Sequence, residues 1–321
     1  MTHIDELRIM ARVARMYYEW DMGQAEIAEQ LGISQPTVSR FLNRSKEEGI
    51  IRISIDMPKD VYTEMEEALV MKYRLKDAIV VDSLDNDERS IQRDLGSVAA
   101  YYLESIIRPN EVIGISSWST TLLALVDALH PVPSKPGIKV VQILGGVGNP
   151  AAEMHANRLT SRLARLVNGD AIYLPVTGIV ATEAARDILL SDEYVQQVTR
   201  LFDHVTTSLV GIGAIEPSPL LAQSGNIFSP QEMDLLKKNN AAGDILYRFF
   251  DISGKLVETG LEKRVISMDL HQLSKVDRSI GVAGGERKYA GILGALCGHW
   301  VNIIITDRFT AERLVEESKG Y

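Results

Sequence analysis

The stretch Gln24–Ile55, QAEIAEQLGISQPTVSRFLNRSKEEGIIRISI, constrains the fold more tightly than any other part of the chain. Two short helices that cross steeply need a small residue where they touch. They also need a turn residue that tolerates φ > 0 and apolar residues that pin the second helix. Ala28, Gly32 and the set Ile27, Leu31, Ile33, Val38, Phe41 and Leu42 fill those roles. Ser34 is placed to cap the second helix, and Pro36 falls in its first turn, where a missing N–H costs little. A helical hairpin with no nucleic-acid role has the same use for Ala and Gly. The outward face separates the two readings: Ser34, Gln35, Thr37, Ser39, Arg40, Asn43 and Arg44 are polar or basic and of the types that read base edges or hold phosphates. The spacing predicts a helix-turn-helix with its recognition helix over Gln35–Glu48. Gly49 is placed as a helix C-cap, and Ile50–Ile55 alternates like a half-buried strand in the position of a wing. In front, Asp5–Trp20 carries Leu7, Met10, Val13, Ala14 and Tyr17 at helical spacing and is predicted to cover the back of the hairpin.

This unit accounts for residues 1–57 of 321, and residues 58–321 are enough for a second domain. The chain holds 34 basic and 43 acidic residues, a net charge of −9, unusual for a protein whose whole surface binds DNA. Residues 1–57 hold seven Lys/Arg against nine Asp/Glu, net −2. Basic character is local: Arg40, Arg44 and Lys46 lie together with no acid between Thr37 and Lys46. One such copy should bind double-stranded DNA weakly, so specific affinity is expected from two or more recognition helices paired in a homo-oligomer, a dimer or a tetramer. The single cysteine, Cys297, excludes an intramolecular disulfide and sits in the small-residue run GILGALCG, where a packed thiol is the simpler reading. No signal peptide and no apolar run of bilayer-spanning length is present, so the expected compartment is the cytoplasm, with no membrane partner.

After Pro58, Asp60–Tyr73 reads as an amphipathic helix; with Asp5–Trp20 it is a candidate oligomer interface. From Ala78 onward, short apolar strands alternate with longer helical stretches. The predicted strands are Ala78–Val81, Glu111–Ile115, Ile138–Leu144, Ala171–Leu174, Thr207–Ile212, Ile245–Phe250, Ile280–Val282 and Asn302–Thr306. Helical runs between them include Glu88–Ile107, Thr120–His130, Ala152–Val167, Glu193–Phe202 and Arg287–Cys297. Buried strands joined by crossover helices imply a mostly parallel sheet covered on both faces. Gly243–Val257, with Ser253-Gly254 at its centre, reads instead as a β-hairpin.

Open α/β sheets bind ligands beyond the carboxyl ends of their strands. Three predicted strands here run into small or hydroxyl-rich loops that lead to helices: Ser116–Thr121 (SSWSTT), Gly145–Pro150 (GGVGNP) and Ala283–Lys288 (AGGERK). Small residues let backbone N–H groups approach an anion, and a helix N-terminus favours negative charge. One loop of this kind is ordinary turn chemistry. Three, one of them ending in Lys288, predict a phosphorylated or polyhydroxy ligand. Thr177, Thr182 and Asp244 are further candidates for the same crevice, with turn capping as the alternative role for Asp244. Motifs that would name an enzyme are missing. The pairs Gly146/Gly148 and Gly211/Gly213 lack the third glycine of a dinucleotide fingerprint, and there is no Walker loop or nucleophile elbow. The histidines His3, His130, His155, His204, His271 and His299 lack ligand spacing, so neither metal nor cofactor is expected.

The order of parts resembles the SorC/DeoR family of bacterial sugar-responsive transcriptional regulators over nearly the whole chain. The resemblance rests on QAEIAEQLGISQPTVSRFLNRSKEEGIIRI, on LGGVG at Leu144–Gly148, VGIGAI at Val210–Ile215, GDILYRFFD at Gly243–Asp251 and GVAGGERK at Gly281–Lys288. It implies an α/β chain: an N-terminal winged helix-turn-helix, then a mostly parallel open α/β sheet domain similar to sugar-phosphate isomerases and deaminases. It also implies oligomers, often tetramers, on operator DNA, and a sugar or sugar-phosphate effector. Carried over by position, effector contacts fall on Ser119, Thr120, Gly145, Gly146, His155, Asn157, Asp244, Gly284, Gly285 and Lys288. The chain departs from some members at Leu144, where a phosphate-binding Arg can stand, and at Trp118, where a smaller residue is usual. Both departures leave room for a monophosphate or an unphosphorylated sugar. Two functions follow: an effector-gated, allosteric regulator of a carbohydrate-utilisation operon, or a phosphosugar isomerase- or deaminase-like enzyme whose N-terminal unit serves assembly. The enzyme would need an acid/base set drawn from Asp244, Glu183, His155 or Lys288, none of which sits in a recognisable catalytic constellation.

Overall fold

The computed structural model describes residues 3–51, 62–117, 119–133, 135–146, 150–216 and 228–317; side chains are described from residue 6, and not for residues 150–157. The chain divides into two compact units, Met1–Pro58 and Lys59–Tyr321.

The first unit contains α1 (His3–Tyr18), α2 (Gln24–Leu31) and α3 (Gln35–Glu47). Helices this short depend on packing more than on propensity. Their shared core is Met10, Val13, Met16, Ile27, Ala28, Val38, Phe41 and Leu42, all buried. Gly32 closes α2 in the left-handed conformation (φ 63°), with its N–H on the Ala28 and Glu29 carbonyls. The Ser34 hydroxyl caps α3 by accepting from the Thr37 N–H, and Pro36 lies in the first turn. Gly49 follows α3 at φ 69°. The predicted wing lies outside the described residues from Arg52 onward.

The second unit runs α4 (Thr63–Tyr73), β1 (Asp77–Val81), α5 (Glu88–Ile106), β2 (Val112–Ile115), α6 (Thr120–Ala128), β3 (Lys139–Gln142), α7 (Pro150–Leu166), β4 (Asp170–Ile172), α8 (Glu183–Leu190) and α9 (Glu193–Arg200). It continues β5 (Thr207–Gly211), β6 (Gly213–Ala214), α10 (Pro230–Lys238), β7 (Gly243–Ile245), β8 (Arg248–Phe250), α11 (Leu270–Leu273), β9 (Arg278–Val282), α12 (Tyr289–Cys297), β10 (Ile303–Asp307) and α13 (Arg308–Glu316). Seven strands form one parallel sheet in the order β1-β10-β9-β5-β2-β3-β4. Alternate strand residues feed two apolar layers. Val140, Ile303 and Ile305 join α5, α6 and α7 residues such as Leu95, Leu122 and Leu163. Val141 and Ile304 face the opposite layer with Leu69, Val198, Ile292 and Leu314. The chain leaves β2 towards β3 and β4, then returns to β5 on the other side of β2. The crossover connections therefore diverge between β2 and β5, which opens a crevice at their carboxyl ends.

One predicted element is corrected. Ile245–Phe250 is not a single strand but β7, a reversal and β8, paired antiparallel. The reversal falls at Leu246 and Tyr247, both left-handed (φ 57° and 61°), rather than at Ser253-Gly254. Large side chains avoid that conformation unless tertiary packing imposes it. Here Leu246 and Tyr247 are buried, Tyr247 packs edge-on to Phe228, and Asp244 accepts the Tyr247 N–H at 3.0 Å. Ser253-Gly254 makes a second, separate turn, in which the Asp251 carboxylate accepts the Ser253 and Lys255 N–H groups.

Candidate functional site

The crevice between β2 and β5 is lined by Ser116, Ser119, Thr120, Leu144, Gly211, Gly213, Glu216, Asp244, Tyr247, Arg287 and Lys288, among others. A buried polar chain holds the strand ends next to it. Ser117 donates to the Leu144 carbonyl (2.9 Å), Gln142 Nε2 donates to Ser117 Oγ (3.0 Å), and the Leu174 N–H reaches Gln142 Oε1 (3.3 Å). This chain locks the ends of β2 and β3 together. On one wall Ser119 caps α6 by accepting the Leu122 N–H at 3.2 Å. A Cβ at position 211 would lie 2.7 Å from Ser119 Oγ, so Gly211 is what lets the cap sit against β5. Gly213 gives Asp244 the same clearance.

Asp244 and Lys288 carry the electrostatics. Burial raises the Asp244 carboxyl to about 6, opposed by the Tyr247 N–H and by the Lys288 charge. Burial, with the neighbouring Arg287 charge adding to it against the attraction of Glu88 and Asp244, lowers the Lys288 ammonium to about 8. Lys288 is 9% exposed, and its amine makes no ion pair or hydrogen bond among the described residues. Arg287 is held differently: Nη2 donates to Glu88 Oε1 at 2.7 Å and Nη1 to the Glu216 carbonyl at 3.1 Å. Among the described residues, the site therefore offers hydroxyls, the buried Asp244 carboxylate, the buried Lys288 ammonium without an ion pair, and the N-terminal end of α6. That set is suited to holding a hydroxylated ligand that bears negative charge.

The family model described as "Putative sugar-binding domain" matches residues 60–316, and a homeodomain-like model matches residues 6–53. The chain is 32% identical to the sorbitol operon regulator of Klebsiella pneumoniae over 320 residues, covering 98% of this chain and 100% of that protein. It is also 32% identical to the deoxyribonucleoside regulator of Bacillus subtilis, covering 98% and 99%. The crystal structure of the full-length sorbitol operon regulator SorC from Klebsiella pneumoniae superposes with a TM-score of 0.73, covering 97% of this chain and 99% of that one. The chain belongs to the SorC/DeoR family of transcriptional regulators. These relatives are named as regulators, and the enzyme reading is set aside.

Within this regulator, Ser119, Thr120, Asp244 and Lys288 come together in one crevice. Gly145 and Gly146 do not line it. The Gly145 N–H is committed to the Ile266 carbonyl (3.0 Å), and its missing Cβ makes room for the Thr177–Gly178 backbone. Gly146 pairs with Thr177. Gly284 and Gly285 line a neighbouring cleft with Asn86, Glu88, Glu286 and Arg287. The Gly285 N–H is taken up by Asp307 (2.8 Å) and Thr310 (3.1 Å). These loops thus provide close backbone approach rather than free anion donors at Gly145 and Gly285. Thr182 caps α8 instead of lining the crevice. The side chains of His155 and Asn157, on α7, and the whole of Trp118 lie outside the described residues. Sequence reasoning missed Arg287, Glu216 and Asp307. Asp307 is fully buried and pins the Gly285 loop; its only sequence signal is an acid at the end of an apolar strand just before a helix.

On the recognition helix, Ser34, Gln35, Arg40 and Asn43 are exposed, while Thr37 and Ser39 are half-buried. The Ser34 hydroxyl is shared with its cap and with Thr37 Oγ1 at 2.8 Å. Arg44 is engaged by Glu6 of α1 and Glu48, so it braces α3 against α1 as it stands. No helix among the described residues is long and apolar enough to cross a membrane.

Proposed function

We propose that this regulator binds double-stranded operator DNA of a carbohydrate-utilisation operon through α3, and that a sugar or sugar-phosphate in the β2/β5 crevice modulates that binding. Gln35 and Arg40 read base edges, and Ser34, Thr37, Ser39, Asn43 and Arg44 hold or flank phosphates. The observation that carries the effector half is Lys288: a buried ammonium with no acceptor among the described residues costs free energy that a bound anion recovers. Asp244 and the hydroxyls of Ser116, Ser119 and Thr120 are the acceptors and donors for sugar hydroxyls. His155 and Asn157, carried over by position, are further effector contacts, and Gly145, Gly146, Gly284 and Gly285 shape the surrounding loops. Effector binding acts by its different affinity for two arrangements of a cytoplasmic homo-oligomer, dimer or tetramer, which changes the spacing of paired recognition helices.

The test is a thermal-shift and calorimetric screen of the full chain against sugars and their monophosphates, with Lys288→Ala in parallel. A ligand that binds only the folded state raises its stability. A phosphorylated ligand whose affinity drops in Lys288→Ala, with operator binding kept, supports the reading. A ligand bound equally well by both proteins removes Lys288 from the effector site.

A further inference from the structure

Arg287 is the cation of the crevice that sequence reading overlooked, and it faces both clefts. It lies one residue from Lys288 in the short turn Glu286–Lys288 that precedes α12. The two cations are close enough for Arg287 to weaken the hold of Lys288 on its proton. They differ in one respect. Lys288 has no acidic partner among the described residues, whereas Arg287 is gripped by Glu88 through two contacts, Nη2 to Oε1 at 2.7 Å and Nε to Oε2 at 3.4 Å. Glu88 opens α5, next to its cap Asp87, and is itself steadied by Gln92 Nε2 at 3.2 Å.

The exposure of this pair decides what it can do. The Arg287 side chain is 33% exposed and that of Glu88 is 41% exposed, so the pair is weak and a competing anion can break it. The Arg278–Glu111 pair, at the amino ends of the strands and away from the crevice, is 10% and 2% exposed and shares Thr207, so no ligand in the crevice can open it. We propose that Glu88 is a specificity-determining residue that occupies the Arg287 guanidinium at the crevice wall, so that a doubly charged phosphate draws Arg287 off Glu88 as a second cation while a neutral sugar leaves the pair closed. This rests on the anion-binding reading of Lys288. Glu88 acts through Arg287 and touches no ligand, so it is a positioning residue.

The probe is inorganic phosphate, titrated at constant ionic strength into the full-length protein and into Glu88→Gln, Arg287→Gln and the double variant, with Lys288→Ala as reference. Gln is close to isosteric with Glu, and melting temperature without phosphate reports whether each variant folds. Glu88→Gln is expected to bind phosphate about fivefold more tightly, because the competing carboxylate is gone. Arg287→Gln is expected to bind more weakly, and Glu88→Gln to have no further effect once Arg287 is removed. That non-additivity is a readout a merely structural role for Glu88 would not produce. The proposal is overturned if Glu88→Gln binds phosphate no better than the parent, or if it gains equally with and without Arg287. Phosphate affinity that is indifferent to Lys288→Ala would instead bring down the effector-site reading, so the two failures are separable.

Discussion

Lys288 gives up its proton near pH 8 in the folded protein rather than at its ordinary 10.5, because its charge is buried beside Arg287. Below about pH 8 the charge is present in folded and unfolded chains alike, and the burial cost is fully felt. As the pH rises from 8 to 10.5 the folded state sheds the proton first, so this group's penalty on stability fades and the fold gains. Asp244 runs the other way: its carboxyl is raised from 3.8 to about 6, so its penalty is absent in acid and grows as the pH rises from 3.8 to 6. An anion in the crevice needs Lys288 charged. Sulfate, which stays a dianion over this range, is therefore expected to lose affinity as the pH rises through about 8, approaching about tenfold per pH unit. Titrating the parent and Lys288→Ala between pH 7 and 9.5 checks this, and parallel curves for the two proteins would refute it.

At the scale of elements, three contacts carry measurable weight. Gly96 lies where α5 meets α6, and a Cβ there would come within 2.6 Å of the Ala124 side chain and 2.7 Å of its backbone. Gly96→Ala is expected to lower stability by about 1–3 kcal/mol in urea denaturation, because the crossing must open to accept the methyl group. It should also weaken ligand binding, since α6 carries Ser119 and Thr120; unchanged stability would mean the crossing is softer than its backbone contacts imply. The cap of α3 is the second case. Ser34→Ala removes the acceptor of the Thr37 N–H and should cost about 1 kcal/mol. Asp307 is a third, heavier bond between elements, tying β10 to the Gly285 loop and to Thr310 of α13. Replacing it with Ala leaves buried donors without acceptors, for which about 1–3 kcal/mol is expected.

For the whole molecule, the net charge of −9 sets the terms of DNA binding. On the recognition helix the basic residues are Arg40, Arg44 and Lys46 alone, so a single copy has few phosphate contacts there and affinity should depend on pairing of protomers. Arg40→Ala is expected to reduce operator affinity by about 1–3 kcal/mol per contacted base pair, while leaving sugar or phosphate binding in the crevice intact. Fluorescence anisotropy on operator DNA, combined with sedimentation across a dilution series, reads both quantities. Operator affinity that holds in Arg40→Ala, or that survives dissociation of the oligomer, would contradict this account.

Parts whose signals are local can be read from the residues alone. The helix-turn-helix was legible because Ala28, Gly32, Ser34 and Pro36 each answer a backbone requirement within a few residues. The sheet was legible because apolar runs such as Ile303–Ile305 are buried on both faces. Ser119, Thr120 and Lys288 were within reach because ligand crevices follow strand ends, whereas Asp244 opens a strand and its place in the crevice comes from packing. The rest depends on contacts between residues far apart in the chain. Gly145 and Gly285 looked like anion donors, but their N–H groups bind Ile266 and Asp307, residues distant in sequence. Leu246 and Tyr247 carry no turn signal, and packing around them imposes a conformation their own chemistry disfavours. The grip of Glu88 on Arg287 joins residues 199 positions apart, and such a contact exists only once the sheet has brought α5 beside the turn before α12. Local propensity acts over a few residues, whereas commitment of a hydrogen bond or a charge depends on which neighbours the fold supplies.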